Sequence, residues 1–200
     1  MSELSPEDLA KAVEAFKLRL LQEGTPLQLV RELITFGSAA VIPDTAYSSI
    51  RDYVGQVLKI SPTRDVYIVG SAKLGFSIKP TARYRGFNDD SDFDLAIVSA
   101  SLYQRLWEQA RTYVRQGGIW DRDDRNHFKN DHLNGVIKPY LLPDSPLTSL
   151  KATLFDLSST LQASGRSYCR VTMAVWHTMD ALETYQSVAV QQCREELTIA

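Results

Sequence analysis

Two short apolar runs with polar residues at one end constrain the fold of this chain most. The first covers residues 66–69 and ends in Gly70 and Ser71, and the second begins with Asp92 and Asp94. In a strand, side chains at positions i and i+2 point to the same face, so this spacing predicts that the two acids lie side by side. Adjacent carboxylates repel each other, and a shared proton or a bound cation relieves the repulsion. The sequence therefore predicts a cation site at one edge of a sheet.

The residues around these runs favour phosphate as a second ligand. Magnesium prefers one or two carboxylates together with substrate phosphates, and a Gly-Ser turn offers backbone N–H groups to a phosphate chain. The intervening segment is basic, because Lys73, Lys79, Arg83 and Arg85 all precede its first acid, Asp89. Phosphate contact and an ordinary solvated loop are both open interpretations of this segment.

Length and composition predict one domain over residues 1–200, with a helical N-terminal layer over 1–62 and a core over 63–200. Strand-like and helix-like runs alternate, which indicates an α/β (α+β) protein with a small mixed β-sheet flanked by helices. No apolar run is long enough to span a bilayer, and the N-terminus is acidic, so we expect a cytoplasmic protein without membrane contact. Cys169 and Cys193 have no zinc or disulfide spacing and are expected to be core residues.

Helix-start residues and apolar spacing define the expected elements. Residues 119–146 lack such spacing, so we expect an irregular segment there with room for a short strand over 136–142. The predicted regular elements are helices that begin at Ser5, Thr25 and Pro43, a strand over 65–69, helices over 102–114 and 147–161 with a stop at Gly165, a strand over 170–177, and a helix from Thr178 to about Leu197.

The ordered set of motif residues resembles the signature of the DNA polymerase β-like nucleotidyltransferase superfamily. That superfamily includes CCA-adding enzymes, oligoadenylate synthases, cGAS/DncV-like nucleotidyltransferases and minimal nucleotidyltransferases. In it, a strand ends in Gly-Ser or Gly-Gly, a short helix follows, and the next strand carries Asp-x-Asp, often preceded by Ser. The resemblance covers residues 66–98 and rests on Gly70-Ser71, Gly75, Ser77 and Ser91-Asp92-Phe93-Asp94.

The resemblance implies a sheet of the nucleotidyltransferase type and a transferase activity. Such an enzyme moves a nucleoside monophosphate from a nucleoside triphosphate to a hydroxyl acceptor, which is RNA, a nucleotide or a protein. Bacterial antiviral defence and toxin–antitoxin systems are settings it suggests, with a partner protein compatible with both. The implied site residues are Asp92 and Asp94 as catalytic ligands of Mg²⁺ or Mn²⁺, and Gly70, Ser71, Lys73 and Ser77 as nucleotide-binding residues.

Two departures from the pattern leave alternatives open. The interval from Gly70 to Asp92 is long, so residues 79–90 are expected to form an inserted loop beside the phosphates. The superfamily usually carries a third carboxylate on a later strand, whereas residues 170–177 contain no acid, and His177 is the alternative base. Enzymatic activity is therefore uncertain. The alternatives are a catalytically degenerate subunit that binds nucleotide or nucleic acid as a sensor or assembly partner, and a helical interaction protein with an accidental motif.

Overall fold

A computed structural model describes residues 3–163 and 169–199. Within these residues, nine α-helices surround one four-stranded mixed β-sheet, which confirms the coarse prediction of a mixed α/β protein. A π-helical segment, Arg31–Thr35, continues the second helix. The helices are α1 (Pro6–Leu21), α2 (Pro26–Val30), α3 (Asp44–Leu58), α4 (Pro62–Asp65), α5 (Gly70–Leu74), α6 (Ala100–Arg115), α7 (Arg122–Leu133), α8 (Ser149–Ala163) and α9 (Met179–Ile199), and the strands are β1 (Val66–Val69), β2 (Phe93–Val98), β3 (Val136–Ile137) and β4 (Val171–Trp176).

The sheet has the strand order β1-β2-β4-β3. Strand β2 runs antiparallel to β1 and parallel to β4, and β3 pairs antiparallel with β4. Asp94 lies opposite Val69 on one side and opposite Thr172 on the other. The carboxyl end of β1 and the amino ends of β2 and β4 therefore meet at the same edge of the sheet.

Side chains alternate between the two faces of the sheet and build two apolar cores. Phe93, Leu95 and Ile97 of β2 join the core that contains buried residues of α3, α6 and α8. Ala96 joins the core that contains buried residues of α1, α2 and α9. The N-terminal helices are thus divided between the two faces of the sheet.

Local capping explains why several helix starts were predicted correctly. The Ser5 hydroxyl accepts a hydrogen bond of 3.1 Å from the Asp8 N–H, and proline follows at the first helical position. Thr25 and Gln28 form a reciprocal capping box at α2. These bonds involve residues within four positions of each other, so a sequence pattern contains all of the required information.

The irregular segment predicted over residues 119–146 is wrong in its first half, because α7 occupies residues 122–133. Asp121 caps this helix, accepting bonds from the N–H groups of Asp123 and Asp124. Phe128 is its one buried residue, so the helix has no apolar period to detect. The strand expected over 136–142 shrinks to β3, because a 3₁₀ turn begins at Pro139, which has no N–H to donate. The predicted stop at Gly165 lies outside the described residues.

Two further predictions concern the cysteines and the presence of membrane-spanning helices. Cys169 and Cys193 are both buried, 3% and 0% exposed, as expected for core residues. Over residues 3–163 and 169–199, no helix combines the length and apolar character needed to cross a membrane.

Candidate functional site

The turn after β1 brings the backbone of Gly70 against the carboxylate of Asp94. Gly70 has φ +66°, a conformation that favours glycine. A β-carbon added at this position would lie 2.9 Å from Oδ2 of Asp94. A side chain at Gly70 would therefore strain the backbone and force the carboxylate of Asp94 to shift. The structure thus brings the turn formed by Gly70 and Ser71, called the Gly70 corner below, next to Asp94, the second acid of the Asp-x-Asp motif.

Ser71 follows at the start of the five-residue helix α5 and is partly exposed. Its carbonyl oxygen accepts a hydrogen bond of 2.8 Å from the N–H of Gly75, which ends the helix. Within the described part of the chain, its hydroxyl makes no hydrogen bond. The hydroxyl of Ser71 is therefore open to a ligand at the corner.

Asp92 is held by an arginine from the neighbouring strand. The Arg170 guanidinium donates two hydrogen bonds to the Asp92 carboxylate, 2.7 and 2.9 Å long. This bonding lowers the pKa of Asp92, so the carboxylate stays charged at neutral pH. The Arg170 side chain is 73% exposed and that of Asp92 is 31% exposed. Exposed ion pairs contribute about 0–1 kcal/mol, so this contact is easily displaced.

Asp94 lies in a drier environment than Asp92. Burial raises its pKa above the ordinary value, and a hydrogen bond from the Thr172 hydroxyl to Oδ1 opposes that rise. Thr172 is the register partner of Asp94 on β4, so the bond follows directly from the strand pairing. Thr172 therefore orients one oxygen of Asp94, while Oδ2 lies beside the Gly70 corner.

The neighbouring strand supplies no third carboxylate at this edge. Arg170 and Thr172 stand where the register of β4 places side chains beside Asp92 and Asp94. Across the described residues, no cluster of three or more His, Cys, Asp and Glu side chains suits a metal ion. His177, the alternative base, follows the far end of β4, about 16 Å along the strand from Thr172. It is therefore not part of this site.

Lys73 and Ser77, two of the predicted nucleotide-binding residues, have partners within the protein. The Lys73 ammonium donates to the carbonyl oxygen of Gly37 at 2.5 Å, and its residue is 4% exposed. Ser77 is 8% exposed, and its hydroxyl accepts a bond of 3.2 Å from the N–H of Lys79. Nucleotide contact by these two side chains stays a prediction, and in the structure Lys73 binds the backbone at Gly37 while Ser77 binds the backbone at Lys79.

The buried Lys73 predicts a specific dependence of stability on pH. Burial lowers the pKa of Lys73 from 10.5 to about 8. The unfolded chain therefore binds this proton more tightly, and raising the pH from 8 towards 10.5 stabilises the wild type relative to Lys73→Met. We expect the free energy of unfolding of the wild type, minus that of Lys73→Met, to rise by about 2–3 kcal/mol between pH 7 and pH 10. Urea unfolding of both proteins at each pH measures it.

The comparison between variant and wild type removes the titration of other groups, because they are common to both proteins. Lys129→Met, on an exposed position of α7, is the matched control for loss of a lysine charge. A difference between wild type and Lys73→Met that stays constant from pH 7 to pH 10 would contradict the prediction.

Sequence reasoning missed the residues that engage the two acids. Arg170 and Thr172 lie two positions apart, like Asp92 and Asp94, and both belong to the strand predicted over 170–177. That shared spacing was the available signal. It becomes informative only when β4 is known to pair in parallel with β2, which the sequence does not state.

Comparisons with known proteins leave the site to be interpreted from its geometry. A scan against models of protein families matches none of them, and searches of curated proteins and of solved structures find no significant match.

Proposed function

We propose that this protein is a metal-dependent nucleotidyltransferase that moves a nucleoside monophosphate from a nucleoside triphosphate to a hydroxyl acceptor. The observation that carries the proposal is the contact between the Gly70 corner and Asp94, with Asp92 two residues earlier at the same sheet edge. The signature of the superfamily that the chain resembles contains the same two features, a pair of carboxylates and a glycine-serine turn. In this proposal the donor is a nucleoside triphosphate, and the acceptor is RNA, a nucleotide or a protein.

The donor set at the edge fits a hard divalent cation. Asp92 and Asp94 supply carboxylate oxygens, and the partly exposed Ser71 hydroxyl lies on the same corner. Magnesium is typically bound by one or two carboxylates, with phosphate and water oxygens completing its shell, and manganese accepts the same ligands. When bound, the ion would neutralise charge on the phosphoryl group that is transferred.

The ion pair between Arg170 and Asp92 is too weak to prevent a metal ion from binding Asp92. This exposed pair contributes no more than about 1 kcal/mol, which a divalent ion with a triphosphate can exceed. A released guanidinium beside the site is suited to bind phosphate, since its planar fork matches two phosphate oxygens. We therefore propose that Arg170 binds Asp92 in the free protein and binds phosphate when metal and nucleotide are present.

The remaining side chains have positioning roles. Thr172 fixes Oδ1 of Asp94 and leaves Oδ2 at the corner. The acceptor oxygen forms its bond to the α-phosphorus as the bond to pyrophosphate breaks, and the acceptor proton passes to water or to the departing pyrophosphate. Arg170 and Thr172 are not bases, so β4 contributes no group at this edge that would take the acceptor proton.

The test is a transfer assay with α-labelled ATP, GTP, CTP and UTP, in Mg²⁺ or Mn²⁺, with RNA, nucleotide, protein or no acceptor. We expect label transfer and pyrophosphate release by the wild type with at least one combination, and none by Asp92→Asn. A wild type that is as inert as the variant under every condition would falsify the enzymatic proposal.

A second candidate function is nucleotide binding without turnover, as a sensor or assembly subunit. The observation that favours it is the occupation of the β4 positions by Arg170 and Thr172 instead of a carboxylate. In this case calorimetry detects binding of a nucleoside triphosphate with magnesium, while the wild type releases no pyrophosphate. Thr172→Asp separates the two candidates further, since turnover that arises only in this variant indicates a site that lacks its third acid.

A further inference from the structure

Strand β1 is an end strand among the four described strands, and two side chains of α3 bind its outer edge. The Ile68 N–H donates a hydrogen bond of 3.1 Å to the Tyr47 hydroxyl, and the Val66 carbonyl oxygen accepts one of 2.9 Å from Nε of Arg51. In an edge strand, the backbone groups of alternate residues point away from the sheet, which here are those of Val66 and Ile68. Tyr47 and Arg51 therefore bind this edge much as a neighbouring strand would.

Tyr47 and Arg51 also bind each other. They lie one turn apart on α3, and Nη2 of Arg51 donates a hydrogen bond of 2.8 Å to the Tyr47 hydroxyl. The Arg51 guanidinium lies over the Tyr47 ring, 4.0 Å from its centroid. Tyr47 is 5% exposed and belongs to the same apolar core as Ile68. Packing and mutual hydrogen bonding thus give both side chains one defined position against β1.

The edge bound by α3 lies directly before the Gly70 corner. Ile68 is two residues before Gly70, and Val69 between them is the register partner of Asp94. Strand β1 has only four residues, so the end of its ladder with β2 can fray. Hydrogen bonds on its outer edge oppose that fraying. They therefore restrain the strand end from which the corner turns.

The same apolar core also holds the helix that follows the corner. Ala72 of α5 is 0% exposed and lies in the core that contains Tyr47. The corner is therefore restrained on both sides, by the hydrogen bonds of α3 to β1 and by the packing of α5.

We infer that Tyr47 and Arg51 are positioning residues of the candidate site, which hold the Gly70 corner against Asp94 by binding the outer edge of β1. The functional part of this inference rests on the proposed function, because it assumes that metal and nucleotide bind at the corner. The two side chains act through β1 and not by touching the nucleotide. A misplacement of about 1 Å in a supporting element is enough to weaken a site strongly. Loss of the pair should therefore lower affinity in a protein that stays folded.

The first test compares the ¹H–¹⁵N spectra of the wild type and Tyr47→Phe, which lacks the hydroxyl and keeps the ring. The Ile68 signal must move, because its N–H loses its acceptor. We expect the signals of Gly70, Ser71 and Asp94 to move as well, since the end of β1 takes a new position. Loss of stability alone would lower the unfolding temperature and leave these three signals in place.

The second test is calorimetry with magnesium and the α,β-methylene analogues of ATP, GTP, CTP and UTP, below the unfolding temperature of each variant. Tyr47→Phe should weaken binding about tenfold or more. Arg51→Lys should also weaken it although the charge is kept, because lysine lacks the rigid fork that binds two oxygens. This second variant carries both tests if Tyr47→Phe does not fold.

Tyr113→Phe is the matched control for the loss of a tyrosine hydroxyl. The Tyr113 hydroxyl donates a hydrogen bond of 2.7 Å to the carbonyl oxygen of Ile119, in the segment after α6. This variant should bind the analogues within about twofold of wild type and leave the Gly70 and Ser71 signals in place. An equal loss of affinity in Tyr113→Phe and Tyr47→Phe would refute the inference.

The outcomes separate this inference from the proposed function. If the signals of Gly70 and Ser71 do not move in Tyr47→Phe, the pair contributes only to stability and the inference is refuted. If the wild type and Tyr47→Phe bind the analogues equally well, the positioning role is refuted and the proposed function stands. If the wild type binds no nucleotide, the proposed function fails, and the spectra alone decide whether the pair holds the corner.

Discussion

Replacing Asp94 by asparagine is expected to abolish nucleotidyl transfer while leaving the fold intact. The carboxylate lies at the Gly70 corner, and its loss removes one of the two carboxylates that we propose as ligands of the divalent ion. Metal ions supply several kcal/mol of charge stabilisation in the transition state, so the transfer rate should fall by on the order of 10³-fold or more. Asparagine keeps an Oδ1 that accepts the Thr172 hydrogen bond, so the local structure should persist.

The measurement is the rate of label transfer under the conditions in which the wild type is active, with thermal unfolding as the check on folding. Asp90→Asn is the matched control, since Asp90 is an exposed acid only four residues earlier in the chain. That variant should retain the wild-type rate within about twofold. An Asp94→Asn protein that retains a tenth of the wild-type rate or more would show that the carboxylate is not a metal ligand in the reaction.

Replacing Ile97 by alanine is expected to cause the largest loss of stability among the substitutions considered. Ile97 is fully buried in the central strand β2, between Val66 of β1 and Val175 of β4. Removing its larger side chain loses apolar burial and leaves a cavity, at a typical cost of about 2–5 kcal/mol. Neighbouring strands on both sides restrict the relaxation that would fill the cavity, so we expect about 3–4 kcal/mol.

Urea unfolding at neutral pH measures this change as the difference in the free energy of unfolding. Ile119→Ala is the matched control, because Ile119 is 92% exposed and the same atoms are removed. Its effect should be within about 0.5 kcal/mol of wild type. A loss below about 1 kcal/mol for Ile97→Ala would contradict the placement of β2 at the centre of the sheet.

The predictions that succeeded depend on residues close together in the chain. The capping residues of α1 and α2 bond to groups three positions away, so their patterns contain the structural information. The spacing of Asp92 and Asp94 is equally local, and it correctly indicated a strand, which contains Asp94 and begins directly after Asp92. The coarse fold class follows from the same kind of signal, an alternation of strand-like and helix-like apolar runs.

Helix α7 shows where local patterns lose their value. Its one buried residue, Phe128, packs against Trp107 of α6 and against Trp120, which immediately precedes the cap of α7. His132, one turn later, also stacks on Trp107, but a histidine does not count as an apolar position, so the helix shows no apolar period of 3.6. Its existence depends on a cap at Asp121 and on packing that the sequence pattern does not express.

The sequence by itself determined the acids, the Gly-Ser corner and the basic segment between them, because each is a contiguous pattern with a local conformational meaning. Only the tertiary structure decided which basic side chains pair with those acids. It buried Lys73, tied Arg83 to Glu196, left Lys79 exposed, and brought Arg170 to Asp92 across 78 positions of chain. The physical reason is that a side chain's burial and partners are set by strand order and register, and β2 finds β4 only when the whole sheet assembles.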